Sequence, residues 1–301
     1  MNATSSAAGT GRLAVVTGAT SGIGREVARR LALEGFVVVV VGRGDARAEA
    51  AARSIAQETG NARVESVGVS DLARPAEVRR LASTLLARYP AIHVLVNNAG
   101  GMFRRRDQTP DGLERTFALN VLGPFLLTNL LEDRLKASAP ARVVNISSAA
   151  HYRHPVDFSD LQSAQHYAGY RAYGRSKMEL LLLTREMARR LAGTGVTVNA
   201  VHPGFVRSGF GLNNGGGTAI GIRVAALLFG VSVRRGAETP VYVASDPSLT
   251  TVSGEYFSRR HISRGDPASR DPAAAARLYS ACEALVAAVP PMAASAAGQT
   301  P

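Results

Sequence analysis

Short aliphatic and β-branched runs recur along the chain at residues 13–17, 36–41, 62–67, 92–96 and 143–147, and again at 196–201, with a seventh strand expected at 254–257. Between them, segments such as 25–34, 77–89 and 171–192 carry apolar residues three and four positions apart, the spacing of amphipathic helices. The runs are almost continuously apolar, as strands covered on both faces require. Strands alternating with crossover helices predict an α/β fold, a Rossmann-type doubly wound parallel sheet. The pattern uses nearly all of residues 12–289, which argues for a single domain with no separate substrate domain.

Two stretches interrupt the alternation. Residues 151–169 hold Pro155, two Asp and three His, and residues 203–217 hold six Gly; both read as loops around a site. Phe205 and the residues to 221 are expected to close over substrate. Residues 1–11 read as a flexible arm without the basic start and apolar run of a secretion signal. Residues 272–289 read as a last helix docked on the body, and 290–301 as a disordered tail.

Composition narrows the class. With 46% hydrophobic and 19% charged residues, the chain has material for a sizeable core, which excludes a wholly disordered protein. Its longest apolar runs are too short to cross a bilayer as helices, so no integral span is expected. Cys282, the single cysteine, can form neither an internal disulfide nor a cysteine-rich metal site, and a cytoplasmic location follows. A net charge of +12, with Arg104, Arg105 and Arg106 in one cluster and Arg234 and Arg235 in another, raises nucleic-acid binding. No helix-turn-helix, aromatic stripe or zinc framework accompanies it, and nucleic acid is set aside.

The chemistry concentrates at a few positions. Directly after the first strand comes Thr17-Gly18-Ala19-Thr20-Ser21-Gly22-Ile23-Gly24-Arg25, followed at once by a helical pattern. Gly18 suits a tight turn, Gly22 a close approach to pyrophosphate, and Gly24 close packing of helix and strand. The helix start then offers free amides to phosphate. At the end of the second strand stands Arg43, where an NAD-selecting fold usually places an acid. Arg43, with Arg25 nearby, favours a 2′-phosphate and hence NADP(H), although Asp45 keeps NAD(H) open. Tyr173 and Lys177 lie four apart on one helix face, and an ammonium there would draw the phenol toward phenolate. A serine after the fifth strand, Ser147 or Ser148, could hold a carbonyl oxygen together with that phenol. His151, His166 and His202 form no metal-ligand spacing, so no metal is expected.

These motifs, with Asp71-Leu72, Asn97-Asn98-Ala99-Gly100, Asn120, Ser147-Ser148, Tyr173xxxLys177 and Pro203-Gly204, resemble the short-chain dehydrogenase/reductase family over about residues 12–289. The 25-residue interval from Ser148 to Tyr173, with Ala150-His151, Phe158, Asp160-Leu161 and the late Gly254-Glu255-Tyr256-Phe257, is similar to its retinol-dehydrogenase-like branch.

The resemblance implies a catalytic set of Asn120, Ser148, Tyr173 and Lys177. Ser148 is chosen over Ser147 on that ground and because adjacent strand residues point apart. It implies a cofactor site of Gly18, Thr20, Ser21, Gly22, Ile23, Gly24, Arg25, Arg43, Asp71, Leu72, Asn98, Ala99, Gly100, Tyr173, Lys177, Pro203 and Gly204. In it Asp71 would meet the adenine amino group, Leu72 would pack near the ring, and residues 97–100 would stabilise the sheet edge. Lys177 would hold ribose hydroxyls, and Asn120 a proton-relaying water.

The expected activity is NADP(H)-linked reduction of a moderately hydrophobic aldehyde or ketone, or the reverse alcohol oxidation. Two other readings stand beside it: reduction of a bulky polyketide-like or other secondary-metabolite ketone, and a non-catalytic nucleotide-binding regulatory protein. A homodimer or homotetramer is implied by the resemblance alone.

Overall fold

The computed structural model describes residues 11–206 and 230–289. Its strands are β1 (Leu13–Thr17), β2 (Val37–Arg43), β3 (Val64–Val69), β4 (Val94–Asn97), β5 (Ala141–Ile146), β6 (Val196–His202), β7 (Tyr256–Ser258) and β8 (His261–Ser263). They form one sheet in the order β3-β2-β1-β4-β5-β6-β7-β8, parallel throughout except for β8. The order reverses between β1 and β4, so the carboxyl ends of the strands open a cleft there.

The helices are α1 (Gly22–Leu33), α2 (Asp45–Thr59), α3 (Pro75–Arg88), α4 (Arg115–Phe117), α5 (Gly123–Leu130), α6 (Glu132–Ala137), α7 (Gly169–Arg190), α8 (Val233–Gly236), α9 (Glu238–Ser245) and α10 (Pro272–Ala288). Alternation along the strands decides which helices each residue meets. Ala14, Val16, Val38 and Val40 pack with Val27, Leu31, Ile55 and Val243 of α1, α2 and α9. Leu13, Val15, Val39 and Val41 face the opposite core, built with Leu81, Phe125, Leu182 and Leu278 of α3, α5, α7 and α10. A one-residue slip of register would exchange the two sets, so this pattern fixes the pairing.

α10 lies against α7 and seals it from outside, burying Leu278, Tyr279, Cys282 and Val286. The Tyr279 ring meets Phe125 edge-on at 4.9 Å, and Arg190 stacks on it at 3.6 Å. Leu180 to Leu183 are all buried within one subunit, Leu182 and Leu183 in the core that α10 joins and Leu181 against Ala200 and Tyr256.

The expected strands are all present, several displaced toward the carboxyl end by one or two residues. β3 runs over 64–69 rather than 62–67 because its pairing with β2 starts at Val38↔Val64. α3 begins two residues earlier than its apolar pattern, on Pro75, which suits a first helical turn. β8 was not anticipated: three exposed or half-buried residues leave no apolar run, and only the antiparallel pairing to β7 defines it. Residues 97–100, expected at a sheet edge, lie instead at the carboxyl end of β4, a central strand between β1 and β5. Among the described residues no helix is long and apolar enough to cross a membrane. Residues 1–10 of the arm, the tail and residues 207–221 of the expected closing loop lie outside the described residues.

Candidate active site

The glycine loop joins β1 to α1 at the reversal of strand order. Gly18 has φ +64° and Gly22 φ +58°, conformations that favour glycine. A Cβ on Gly24 would stand 2.3 Å from Asn98 Nδ2 and 2.6 Å from the Gly18 carbonyl, so glycine there allows the helix to approach the loop. Asn98 closes this arrangement by donating from Nδ2 to the Thr17 and Gly18 carbonyls at 2.8 and 3.2 Å. Thr17 Oγ1 in turn accepts the amides of Asn98 and Ala99, both at 3.0 Å. The first turn of α1 has no acidic residue, and Ser21 makes no side-chain cap, so neither the helix dipole nor its free amides are spent on a side chain. That is the environment a pyrophosphate requires, and Ile23 packs behind it on the α1 core.

Around the second strand, Gly42 is matched to Gly68 on β3. The Thr20 methyl lies over Gly42, where a Cβ would be 2.1 Å away. Asp45 lies over Gly68 in the same manner, its Oδ1 2.2 Å from a Cβ position. The carboxylate that kept NAD(H) open is thereby turned to the β3 side. Arg43 is exposed at the end of β2. Arg25 is directed to α2, where its guanidinium donates to Ser54 Oγ at 2.9 Å and pairs with Glu58. Asp71 is likewise engaged: Oδ1 accepts the Ala73 amide at 3.0 Å and Oδ2 pairs with Arg115 at 2.5 Å. Leu72 is partly buried against the core, with its carbonyl close to Gly123. Pro203 and Gly204, the latter at φ +88°, turn the chain out of β6.

The other candidate residues converge at the ends of β4 and β5. Tyr173 and Lys177 are buried on α7, with the Lys177 ammonium 5.6 Å from the centre of the Tyr173 ring. Lys177 Nζ donates to the Ile146 carbonyl at 2.9 Å. The Ser148 side chain lies beside the Tyr173 phenol and favours its ionised form, while its Oγ accepts the Ala150 amide at 3.1 Å. Ser147 points the other way and donates to the Lys177 carbonyl at 3.2 Å. Asn120 sits in a single wide π-turn, Ala118–Leu122, between α4 and α5. Its Oδ1 accepts the Gly101 amide at 2.9 Å, while Nδ2 donates to the Gly101 carbonyl at 2.8 Å and to Ser176 Oγ at 2.9 Å. Asn120 and Lys177 both border Gly100, where a Cβ would stand 3.1 Å from Asn120 Oδ1 and 3.5 Å from Lys177 Nζ.

Burial dominates the electrostatics. It pushes the Tyr173 phenol up to about 12, offset in part by the Ser148 side chain, and pulls the Lys177 ammonium down to about 8. The expected drift of Tyr173 toward phenolate is therefore reversed. Loss of hydration penalises the anion, and Lys177 faces the ring from a distance while bonded to a carbonyl. The site keeps a phenol with its proton, beside a hydroxyl that can share a carbonyl oxygen with it.

Residues 12–214 match the family model of the short chain dehydrogenases. The chain belongs to the short-chain dehydrogenase family. It is 41% identical over 285 residues to human retinol dehydrogenase 12, covering 91% of this chain and 86% of the relative. The solved structure of an uncharacterised protein from Mycobacterium paratuberculosis superposes with TM-score 0.73 at 31% identity, covering 92% of this chain and 93% of the other. A short chain dehydrogenase from Burkholderia cenocepacia, solved in complex with NADP, gives TM-score 0.64 at 27% identity over 82% and 95%. This dehydrogenase is thus an oxidoreductase, akin to the retinol dehydrogenases.

Four residues of this dehydrogenase's site do not stand out in the sequence: Gly42, Ser176 and Arg115 belong to no motif, and Thr17 enters only as the start of the glycine loop. Ser176 passes the Asn120 contact on, donating to the Tyr173 carbonyl at 2.7 Å. A hydroxyl one residue before a glycine loop is the available signal for Thr17; the other three depend on contacts that no local pattern carries, Gly42 with Thr20, Arg115 with Asp71 and Ser176 with Asn120.

Proposed function

We propose that this short-chain dehydrogenase transfers hydride between NADP(H) and a moderately hydrophobic aldehyde or ketone, with reduction as the favoured direction and a retinoid-like compound as the substrate class. The observation that carries the reading is the buried Tyr173 phenol beside Ser148, with Lys177 Nζ 5.6 Å from its ring centre; burial favours the protonated phenol. The kinship to retinol dehydrogenases supports the substrate class. Exposed Arg43, together with Asp45 turned toward Gly68, supports the 2′-phosphate.

The residues present fit the nucleotide. Residues 18–24 and the α1 amides would hold the pyrophosphate, Arg43 the 2′-phosphate, Asp71 and Leu72 the adenine, and Lys177 the ribose hydroxyls of the nicotinamide half. Ala99, Gly100, Pro203 and Gly204 would border the dinucleotide. NADPH supplies the hydride when bound. Ser148 and Tyr173 hold the carbonyl oxygen between two hydroxyls, which stabilises the negative charge that develops there. Tyr173 donates its proton to that oxygen, acting as general acid. The Lys177 ammonium stabilises the phenolate left behind. One lone pair of Asn120 Oδ1 remains for a water that returns a proton toward Lys177.

Purified protein is incubated with NADPH or NADH and all-trans-retinaldehyde, simple ketones or bulky cyclic ketones, with cofactor oxidation and product mass as readouts. NADPH-dependent formation of retinol is expected, and Arg43→Asp should shift the NADPH to NADH preference by at least about tenfold, one lost charged contact. Turnover of bulky cyclic ketones alone would move the substrate class. Tight nucleotide binding without turnover in either direction would point to the regulatory reading.

A further inference from the structure

β5 ends at Ile146, and the last ladder contact before the site is the Ser147 amide on the Val201 carbonyl at 2.8 Å. Sheet pairing therefore does not orient the peptide group that follows Ser148. Two imidazoles do. The Ser148 carbonyl lies 2.6 Å from His151 Nδ1, and the Ala149 amide donates to His202 Nδ1 at 3.3 Å. These are the two ends of one peptide plane.

The rings have defined proton positions. His151 Nε2 accepts the Asp266 amide at 3.0 Å, so its hydrogen resides on Nδ1 and points at the Ser148 carbonyl. Asp266 is itself fixed, its carboxylate accepting the amides of Arg153 at 3.0 Å and Ala268 at 2.9 Å. The His151 ring is fully buried, tilted on Tyr152 at 4.2 Å and edge-on to Tyr256 at 5.0 Å. His202 ends β6 and precedes Pro203-Gly204. With Nδ1 as acceptor, its proton belongs on Nε2. Burial keeps both rings neutral, and it draws His202 down to about 4.

We propose that His151 and His202 are positioning residues that grip the Ser148–Ala149 peptide from opposite ends and thereby hold the Ser148 hydroxyl against Tyr173. The inference rests on the catalytic role proposed for Ser148. His151 also ties that serine to the connection between β8 and α10, so the carboxyl-terminal part of the chain helps to aim the site. Neither ring exchanges a proton with substrate in this arrangement.

The test uses the full-length protein and two independent readouts. Ring nitrogen shifts from ¹⁵N NMR should show His151 protonated at Nδ1 and His202 at Nε2, and exchange of the Ala149 amide should accelerate in His202→Ala. The opposite tautomer of His151 would overturn the proposal, and this readout needs no substrate. The second is kinetic, with NADPH and all-trans-retinaldehyde. His151→Asn keeps a donor near Nδ1 but loses the Asp266 contact; His151→Gln keeps an acceptor near Nε2 but loses the donor; His151→Phe loses both and keeps a ring.

The expected order of kcat is wild type, then Asn within about fivefold, then Gln and Phe lower by roughly 10- to 100-fold, the cost of misplacing a reacting group. The KM for NADPH should stay within about twofold. If Gln outperforms Asn, or if kcat follows thermal stability alone, His151 merely anchors Asp266 and the proposal fails. If wild-type protein reduces no carbonyl, the functional reading fails while the nitrogen spectra still decide the clamp.

Discussion

Lys177 and Glu179 lie two residues apart on α7, both buried, and loss of hydration drives each toward its neutral form. For Lys177 the consequence is kinetic. With its ammonium at about 8, the charge that stabilises the Tyr173 phenolate in the proposed mechanism is present below that pH and lost above it. The kcat/KM of reduction should be level from pH 6 to 7.5 and fall up to tenfold per unit above 8. Tyr173, at about 12, cannot produce that limb. A pH–rate profile of Lys177→Arg, slower but always charged, should lack it.

For Glu179 the consequence is thermodynamic. Burial raises it from 4.5 to about 8, Oε1 has no hydrogen-bond partner, and Arg175 compensates only in part. The folded state binds the proton more tightly than the unfolded state. Stability is therefore highest below 4.5, declines as pH rises, and reaches its full penalty above 8. Glu179→Gln should match the wild type in urea melts at pH 4.5 and exceed it by on the order of 4 kcal/mol at pH 8.5. Tyr173 and Lys177 were legible because a spacing of four carries their chemistry. Glu179 was not: a lone acid in a helical pattern reads as solvent-facing, and its burial comes from packing around α7 that no local pattern reveals.

At the scale of elements, the pair of glycines on β2 and β3 makes room for the ends of two other segments. Gly42→Ala would drive Thr20 out of place, since its methyl occupies the new Cβ position. Overpacking of this kind costs about 1–3 kcal/mol. If that cost falls on the loop, NADPH affinity should drop by roughly tenfold or more, measurable by fluorescence titration of the bound nucleotide. Gly35→Ala serves as the comparison; it has open space but φ +84°, so it should lower stability and leave NADPH affinity intact. The strands themselves were readable because each is buried on both faces and bounded by polar turns. β8 was not, being held by pairing alone. The π-turn around Asn120 was also hidden, because its residues have ordinary helical composition.

For the whole molecule, α10 is the structural closure of the core on the α7 side. Leu278→Ala should cost about 2–5 kcal/mol in a urea melt, as for other fully buried leucines. Removal of residues 272–301 takes away the buried side chains of Ala275, Leu278, Tyr279, Cys282, Val286 and Val289 at once. At about 1.5–3 kcal/mol each, that is comparable with the entire stability of a domain, so the shortened chain should not accumulate in folded form on expression. The single-domain architecture was readable because strand and helix patterns run nearly unbroken to residue 289.

That closure also has a schedule. Pro272 follows Arg190 by 82 residues (272 − 190), so α7 leaves the ribosome well before the helix that covers it is made. At about 5–20 residues per second the delay is roughly 4–16 s. During that interval the nascent chain carries α7 with one apolar flank uncovered. Synthesis at low temperature or with a chaperone that binds apolar segments should therefore raise the yield of folded enzyme more than any change made after release.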